Sequence, residues 1–169
     1  GFNTIRVWGN APEELLLTAM EYDLYVIQAV WVDPGGAFGY SGFIAQSLGL
    51  TRMMVKSSKN YPNVIMYLVM NEPHVDAVMK AGVDKTLELY REIIKAIREL
   101  DPDRPISISN FVSTSWLDQS LWDVICFNAY GYYPRTMTRD LGYEGYLRWI
   151  KNDLASGKPL LITEYGYSV

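Results

Sequence analysis

Two glutamates stand where chemistry could happen. Glu72 closes the stretch Val64-Ile65-Met66-Tyr67-Leu68-Val69-Met70-Asn71-Glu72-Pro73, and Glu164 closes Pro159-Leu160-Leu161-Ile162-Thr163-Glu164. Each is the abrupt polar end of a short apolar run. Such a run, bounded by turn residues, reads as a strand buried on both faces. Asn60-Tyr61-Pro62-Asn63 supplies the turn before the first run. Pro73 cannot donate to a ladder and restricts the residue before it, so this strand is expected to stop at Glu72. Two core strands that each deliver a carboxylate at the carboxyl end can do acid, base and nucleophilic work together.

Other reactive residue types are scarce. His74 is the only histidine, which leaves no multi-His metal site and no evident Ser-His-Asp set. Cys126, the only cysteine, lies in the apolar run Val124-Ile125-Cys126-Phe127 and reads as core, with no intrachain disulfide available. The loop Asp33-Pro34-Gly35-Gly36-Ala37-Phe38-Gly39 is glycine-rich but lacks the dinucleotide-binding spacing. No cofactor and no metal are expected. The net charge of −4, without a basic stripe, argues against a nucleic-acid partner. With 49% hydrophobic and 20% charged residues, the chain has the composition of a soluble globular domain. Its 13 Tyr and 5 Trp fit either a Tyr-rich core and surface or rings that stack on a sugar. No stretch approaches transmembrane length and no signal peptide is visible. The chain opens on Gly1, already inside a strand pattern, and is expected to be a fragment of a longer polypeptide. Localisation and oligomeric state are not legible.

The elements that would position the glutamates alternate. Strand patterns cover Thr4 to Trp8 (with Arg6 inside), Leu24 to Trp31, Val64 to Glu72, Pro105 to Ser109, Trp122 to Asn128 and Pro159 to Glu164. Helical patterns fall between them. Asn10-Ala11-Pro12-Glu13 looks like a capped helix start. Phe43 to Ser58 comes next, then Asp84 to Leu100, where Leu87, Tyr90, Ile94 and Ile97 recur at helical spacing, and Tyr143 to Leu154. Alternation with buried strands means a parallel sheet with helices outside, in one α/β domain over residues 1–169. Doubly wound and barrel folds both satisfy this. Polar residues at several strand ends, Asn71, Glu72, Asn110, Asn128 and Glu164, suit the mouth of a TIM barrel.

The blocks Gly1-Phe2-Asn3-Thr4-Ile5-Arg6, Tyr61 to Met66 running into Asn71-Glu72-Pro73, Asp101-Pro102-Asp103-Arg104-Pro105, Phe127-Asn128-Ala129-Tyr130 and Pro159 to Gly166 resemble the catalytic barrel of retaining glycoside hydrolases of clan A. Family 2, with its β-glucuronidases, β-mannosidases and β-galactosidases, is the nearest look. The resemblance implies a (β/α)8 TIM barrel that is incomplete, running from strand two to strand seven. It implies Glu72 as acid/base, Glu164 as nucleophile, Asn71 on the sugar 2-hydroxyl, and Arg6 and Tyr130 supporting the nucleophile. A retaining enzyme would hold the two carboxyl groups about 5–5.5 Å apart.

Bland readings stand beside these. Tyr130 competes with Tyr132 and Tyr133, and a stacking or structural tyrosine stays open. Asn128 reads as a strand-end hydrogen bonder before a sugar contact. Trp8 and Trp31 fit a sugar platform or plain packing equally well. His74 could line a subsite, but a solvated loop histidine is favoured. The expected function is a retaining β-glycoside hydrolase that acts on O-glycosidic bonds of β-linked oligo- or polysaccharides by double displacement, with a carbohydrate substrate. A transglycosylase using the same residues, or an inactive carbohydrate-binding barrel fragment, are the alternatives.

Overall fold

The strand patterns pair in a single parallel sheet. A computed structural model describes residues 1–131 and 135–166, except for the side chains of residues 135–141. Tyr132 and Tyr133 lie outside the described residues. The strands are β1 (Thr4–Arg6), β2 (Tyr25–Ala29), β3 (Val64–Asn71), β4 (Ile106–Asn110), β5 (Ile125–Tyr130) and β6 (Leu160–Gly166), hydrogen-bonded in chain order with every pair parallel. Between them run α1 (Glu13–Glu21), α2 (Ser41–Ser58), α3 (Val75–Ala81), α4 (Val83–Arg98) and α5 (Arg135–Trp149), the last broken at Gly142 and continued by a π-turn segment, Ile150–Leu154.

One contact decides between the two α/β architectures. In a flat sheet the first and sixth strands would stand about 24 Å apart, at the usual strand spacing of ~4.8 Å. Arg6 at the end of β1 instead reaches Glu164 on β6 with a 3.0 Å bond. The sheet is therefore curled into a partial TIM barrel.

Strand periodicity then sorts side chains into two layers. Tyr67 and Val69 of β3, Ile106 and Ile108 of β4, and Ile125 of β5 face outward, into a core with Val55, Leu89, Tyr90, Ile93 and Ile97 of the helices. The alternate residues Ile27, Met66, Leu68 and Cys126 form a second cluster inside the barrel. Burial pushes the Cys126 thiol up to about 11, so it is an inert core group. Phe127 and Ala129 pack outward on Tyr146 and Ile150.

Two expectations need correcting. Asn10 does not cap α1. Pro12 occupies the N-cap position without a side-chain bond, while Asn10 Oδ1 accepts from Ser57 Oγ at 2.8 Å. The short α3 lies where no helical pattern is read from the sequence; at seven residues it is too brief to show helical periodicity. Gly82, at φ 87°, turns the chain between α3 and α4, a conformation that favours glycine.

The Asp101-to-Pro105 block proves structural. Arg104 pairs with Asp101 and donates to Tyr67 Oη at 2.9 Å and to the Lys59 carbonyl at 3.2 Å. This ties the helix-to-strand turns together at the barrel end opposite the glutamates.

β1 and β6 are the outer strands of the described sheet. Phe2 is 93% and Tyr165 77% exposed beside them. Unpaired apolar edges template association. Residues 1–169 produced alone are therefore expected to elute as oligomers or aggregates in size-exclusion chromatography. A monodisperse monomer with a cooperative unfolding transition would show that the edges are protected.

Candidate active site

Strand alternation alone would not gather these residues. Ile5 faces the helices, so its neighbour Arg6 faces inward. On β3, Tyr67 and Val69 face outward, and strict alternation would send Asn71 after them. The register prevents this. Leu68 pairs with Ser107 but Asn71 pairs with Ser109, so β3 holds one extra residue. A bulge of this kind reverses the facing of the residues beyond it, and Asn71 turns inward. Glu72 then adopts φ 44°, left-handed for a residue with a side chain. That conformation costs of order 1–3 kcal/mol and recurs at functional sites. The Glu72 N–H is held by the Ser109 carbonyl at 2.8 Å. β6 repeats the device. Phe127 pairs with Ile162 and Asn128 with Glu164, so Thr163 is the extra residue and both Thr163 and Glu164 face the mouth.

The inward groups form one network. Arg6 Nη1 donates to Glu164 Oε1 at 3.0 Å and to the Thr163 carbonyl at 3.2 Å, and Nη2 donates to Asn71 Oδ1 at 2.7 Å. Tyr130 Oη donates to Glu164 Oε2 at 2.6 Å. Both oxygens of Glu164 are thus engaged by donors. Asn128 Nδ2 donates to Glu72 Oε1 at 2.6 Å and to Asn71 Oδ1 at 3.3 Å. The two carboxylates therefore share one face of the sheet and one chain of bonds. The Arg6–Glu164 pair is mostly shielded, at 14% and 18% side-chain exposure. Removing one partner from such a pair leaves an uncompensated charge, typically at about 3–5 kcal/mol when fully buried.

Trp8 and Trp31 line a small cleft with Arg6 and Asn71. The Arg6 guanidinium lies 4.4 Å from the Trp8 ring centroid, which occupies one face of that ring. Half of Trp8 remains exposed. Asn128 is fully buried, in keeping with a strand-end hydrogen bonder. His74 is not brought into the network. It is exposed at the start of α3, its N–H donates to the Pro34 carbonyl at 2.9 Å, and its ring lies against Gly35. Asn110 also turns away from the mouth, onto Thr114 and the Phe111 N–H. The sequence reading missed Ser109 and Thr163, whose hydroxyls both meet Asn128 Oδ1. Their only signal is a polar residue inside an apolar strand. Among the described residues no cluster of His, Cys, Asp or Glu is arranged to hold a metal, and no helix is long and apolar enough to cross a membrane.

The family model described as the TIM barrel domain of glycosyl hydrolases family 2 matches residues 43–169. The chain belongs to this family. Among curated proteins, this family 2 barrel is 35% identical over 122 residues to a beta-glucuronidase of Streptococcus agalactiae, covering 67% of the chain and 19% of that protein. It is 30% identical over 126 residues to the beta-glucuronidase of Sus scrofa, covering 67% of the chain and 17% of the relative. The chain thus spans about a fifth of the length of the curated relatives it matches. Among solved structures, the β-glucuronidase of Ruminococcus gnavus superposes with a TM-score of 0.74 at 23% identity, over 97% of this chain and 30% of that one. That of Dictyoglomus thermophilum also gives 0.74, at 24% identity, over 99% and 30%. At these identities the likeness is one of fold.

Proposed function

We propose that residues 1–169 supply the catalytic centre of a retaining β-glycoside hydrolase that works by double displacement, with β-D-glucuronides as its substrate class. The observation that carries the mechanism is the unequal treatment of two carboxylates in one network. Glu164 is gripped on both oxygens, by Arg6 and Tyr130. Among the described residues, Glu72 accepts a single side-chain bond, from Asn128. A carboxylate held on both oxygens is fixed in place to attack. One with an oxygen that has no partner among the described residues is suited to carry a proton to a leaving group.

In the first step Glu164 forms a bond to the anomeric carbon as the glycosidic C–O bond breaks, and Glu72 passes its proton to the departing oxygen. In the second, Glu72 takes a proton from water, whose oxygen displaces Glu164. Inversion at each step gives net retention. Asn71 is left with an amide N–H pair that has no partner among the described residues, suited to a sugar hydroxyl, while its oxygen is taken by Arg6. Trp8 and Trp31 would offer ring surface beside the sugar. The choice of glucuronides rests on the names of the curated relatives, each a beta-glucuronidase.

The test is the anomer first released by the full-length polypeptide from an aryl β-D-glucuronide, monitored by proton NMR before mutarotation. The β-anomer is expected. First release of the α-anomer would mean a single displacement and would overturn the retaining reading.

A further inference from the structure

Asn128 and the two hydroxyls beside it carry an inference that rests on Glu72 being the acid/base. The polarity of the network is forced, one amide at a time, by groups that can only donate. Arg6 has no acceptor, so the Asn71 atom 2.7 Å from Nη2 is its oxygen. The Asn128 atom 3.3 Å from that oxygen is then its nitrogen, and the same nitrogen lies 2.6 Å from Glu72 Oε1. Asn128 Oδ1 is thereby turned toward Ser109 Oγ at 2.8 Å and Thr163 Oγ1 at 2.7 Å. Ser109 and Asn128 are both fully buried and Thr163 is partly buried, so solvent does not replace the Ser109 bond. Each hydroxyl comes from a different neighbour of β5, Ser109 from β4 and Thr163 from the bulge in β6.

We propose that Ser109 and Thr163 are positioning residues that anchor the Asn128 amide, so that its N–H occupies Glu72 Oε1 and confines the catalytic proton to Oε2. A proton on Oε1 would face the Asn128 N–H, donor against donor. The other oxygen is therefore the one that carries it. In the first step the Oε2–H bond breaks, its electron pair stays on the carboxylate, and the proton joins the glycosidic oxygen. In the second step the same oxygen takes a proton from water. Without the two hydroxyls, Asn128 Oδ1 would be a buried acceptor with no donor among the described residues, and the amide would leave Glu72 to find one.

The test compares Thr163→Val with Ser109→Ala, their double variant, and Thr163→Ser, all in the full-length polypeptide. Substrates are phenyl and 2,4-dinitrophenyl β-D-glucuronide, which need and do not need the acid. For the double variant, kcat/KM on the phenyl substrate is expected to fall about 10–100-fold, the loss of one or two buried hydrogen bonds. The dinitrophenyl substrate should change less than about threefold, since its departure needs no proton. Thr163→Ser should match the parent on both. Equal losses on both substrates, or no loss on the phenyl one, would overturn the inference. If the double variant does not fold, Thr163→Val and Ser109→Ala each remove one of the two donors, and a loss confined to the phenyl substrate is expected from at least one of them; no selective loss from either would overturn the inference. Glu72→Ala is measured alongside. If it too fails to discriminate between the substrates, the acid/base assignment falls, and the positioning role with it. If it discriminates and the hydroxyl variants do not, only the positioning role falls.

Discussion

Glu164→Ala in the full-length polypeptide is expected to abolish turnover, with a fall in kcat on the order of 10⁵-fold or more, the scale reached when a nucleophile that acts as a unit with its partners is removed. Alanine leaves a space beside Arg6 and Tyr130, the two groups that hold the Glu164 oxygens. Azide is a small anion that fits such a space and is attracted by the guanidinium. Added azide should therefore restore consumption of an activated aryl β-D-glucuronide. It attacks from the face Glu164 used, but in one displacement rather than two. The product is the α-glycosyl azide, inverted relative to the substrate. A β-azide would mean that the vacated position lies on the leaving-group side, and the two glutamates would have to exchange roles. Unchanged turnover would remove Glu164 from the reaction.

Glu72→Ala is expected to give a different pattern. A general acid contributes about 10²–10⁴-fold where the leaving group needs its proton. The loss in kcat/KM should fall in that range for phenyl β-D-glucuronide and shrink toward none for the dinitrophenyl substrate. Kinetics across a series of leaving groups would show it as a steepened dependence on leaving-group acidity. A uniform loss across the series would assign Glu72 to binding or folding instead. The contrast between the two alanine variants is informative because both residues sit in one network, joined through Asn128, Asn71 and Arg6. Damage to the network as a whole would affect both alike.

Sequence patterns located the strands because each is an apolar run closed by polar residues. They located Glu72 and Glu164 because each ends such a run. The choice of a barrel over an open sheet was not legible from alternation. It depends on curvature, and Arg6 meeting Glu164 across the mouth reveals it. Periodicity also failed where the site is most specific. Asn71 and Glu72 are adjacent, as are Thr163 and Glu164, and in a regular strand neighbours point to opposite faces. The extra residues in β3 and β6 and the left-handed Glu72 bring both members of each pair to the mouth. A bulge is a matter of register with the neighbouring strand, and a single strand's sequence does not encode its partner. Ser109 and Thr163 went unrecognised for the same reason, since a lone hydroxyl in a strand has meaning only when Asn128 lies beside it. Tyr130 was legible through resemblance alone, because its bond to Glu164 depends on how β5 and β6 lie side by side. His74 was weighed on adjacency alone, and it is exposed just before α3 with its ring against Gly35.

The central claim is that Glu164 makes the covalent bond to the sugar while Glu72 handles the proton. The most direct measurement is to inactivate the full-length polypeptide with 2-deoxy-2-fluoro-β-D-glucuronosyl fluoride and map the label by mass spectrometry. The fluorine at C2 slows both steps, and the fluoride leaving group lets the first proceed, so a glycosyl-enzyme accumulates. The predicted result is one added sugar per chain, on the peptide Leu160-Leu161-Ile162-Thr163-Glu164-Tyr165-Gly166, at Glu164. A label at Glu72 or any other residue, or turnover of the reagent without a covalent adduct, would contradict it.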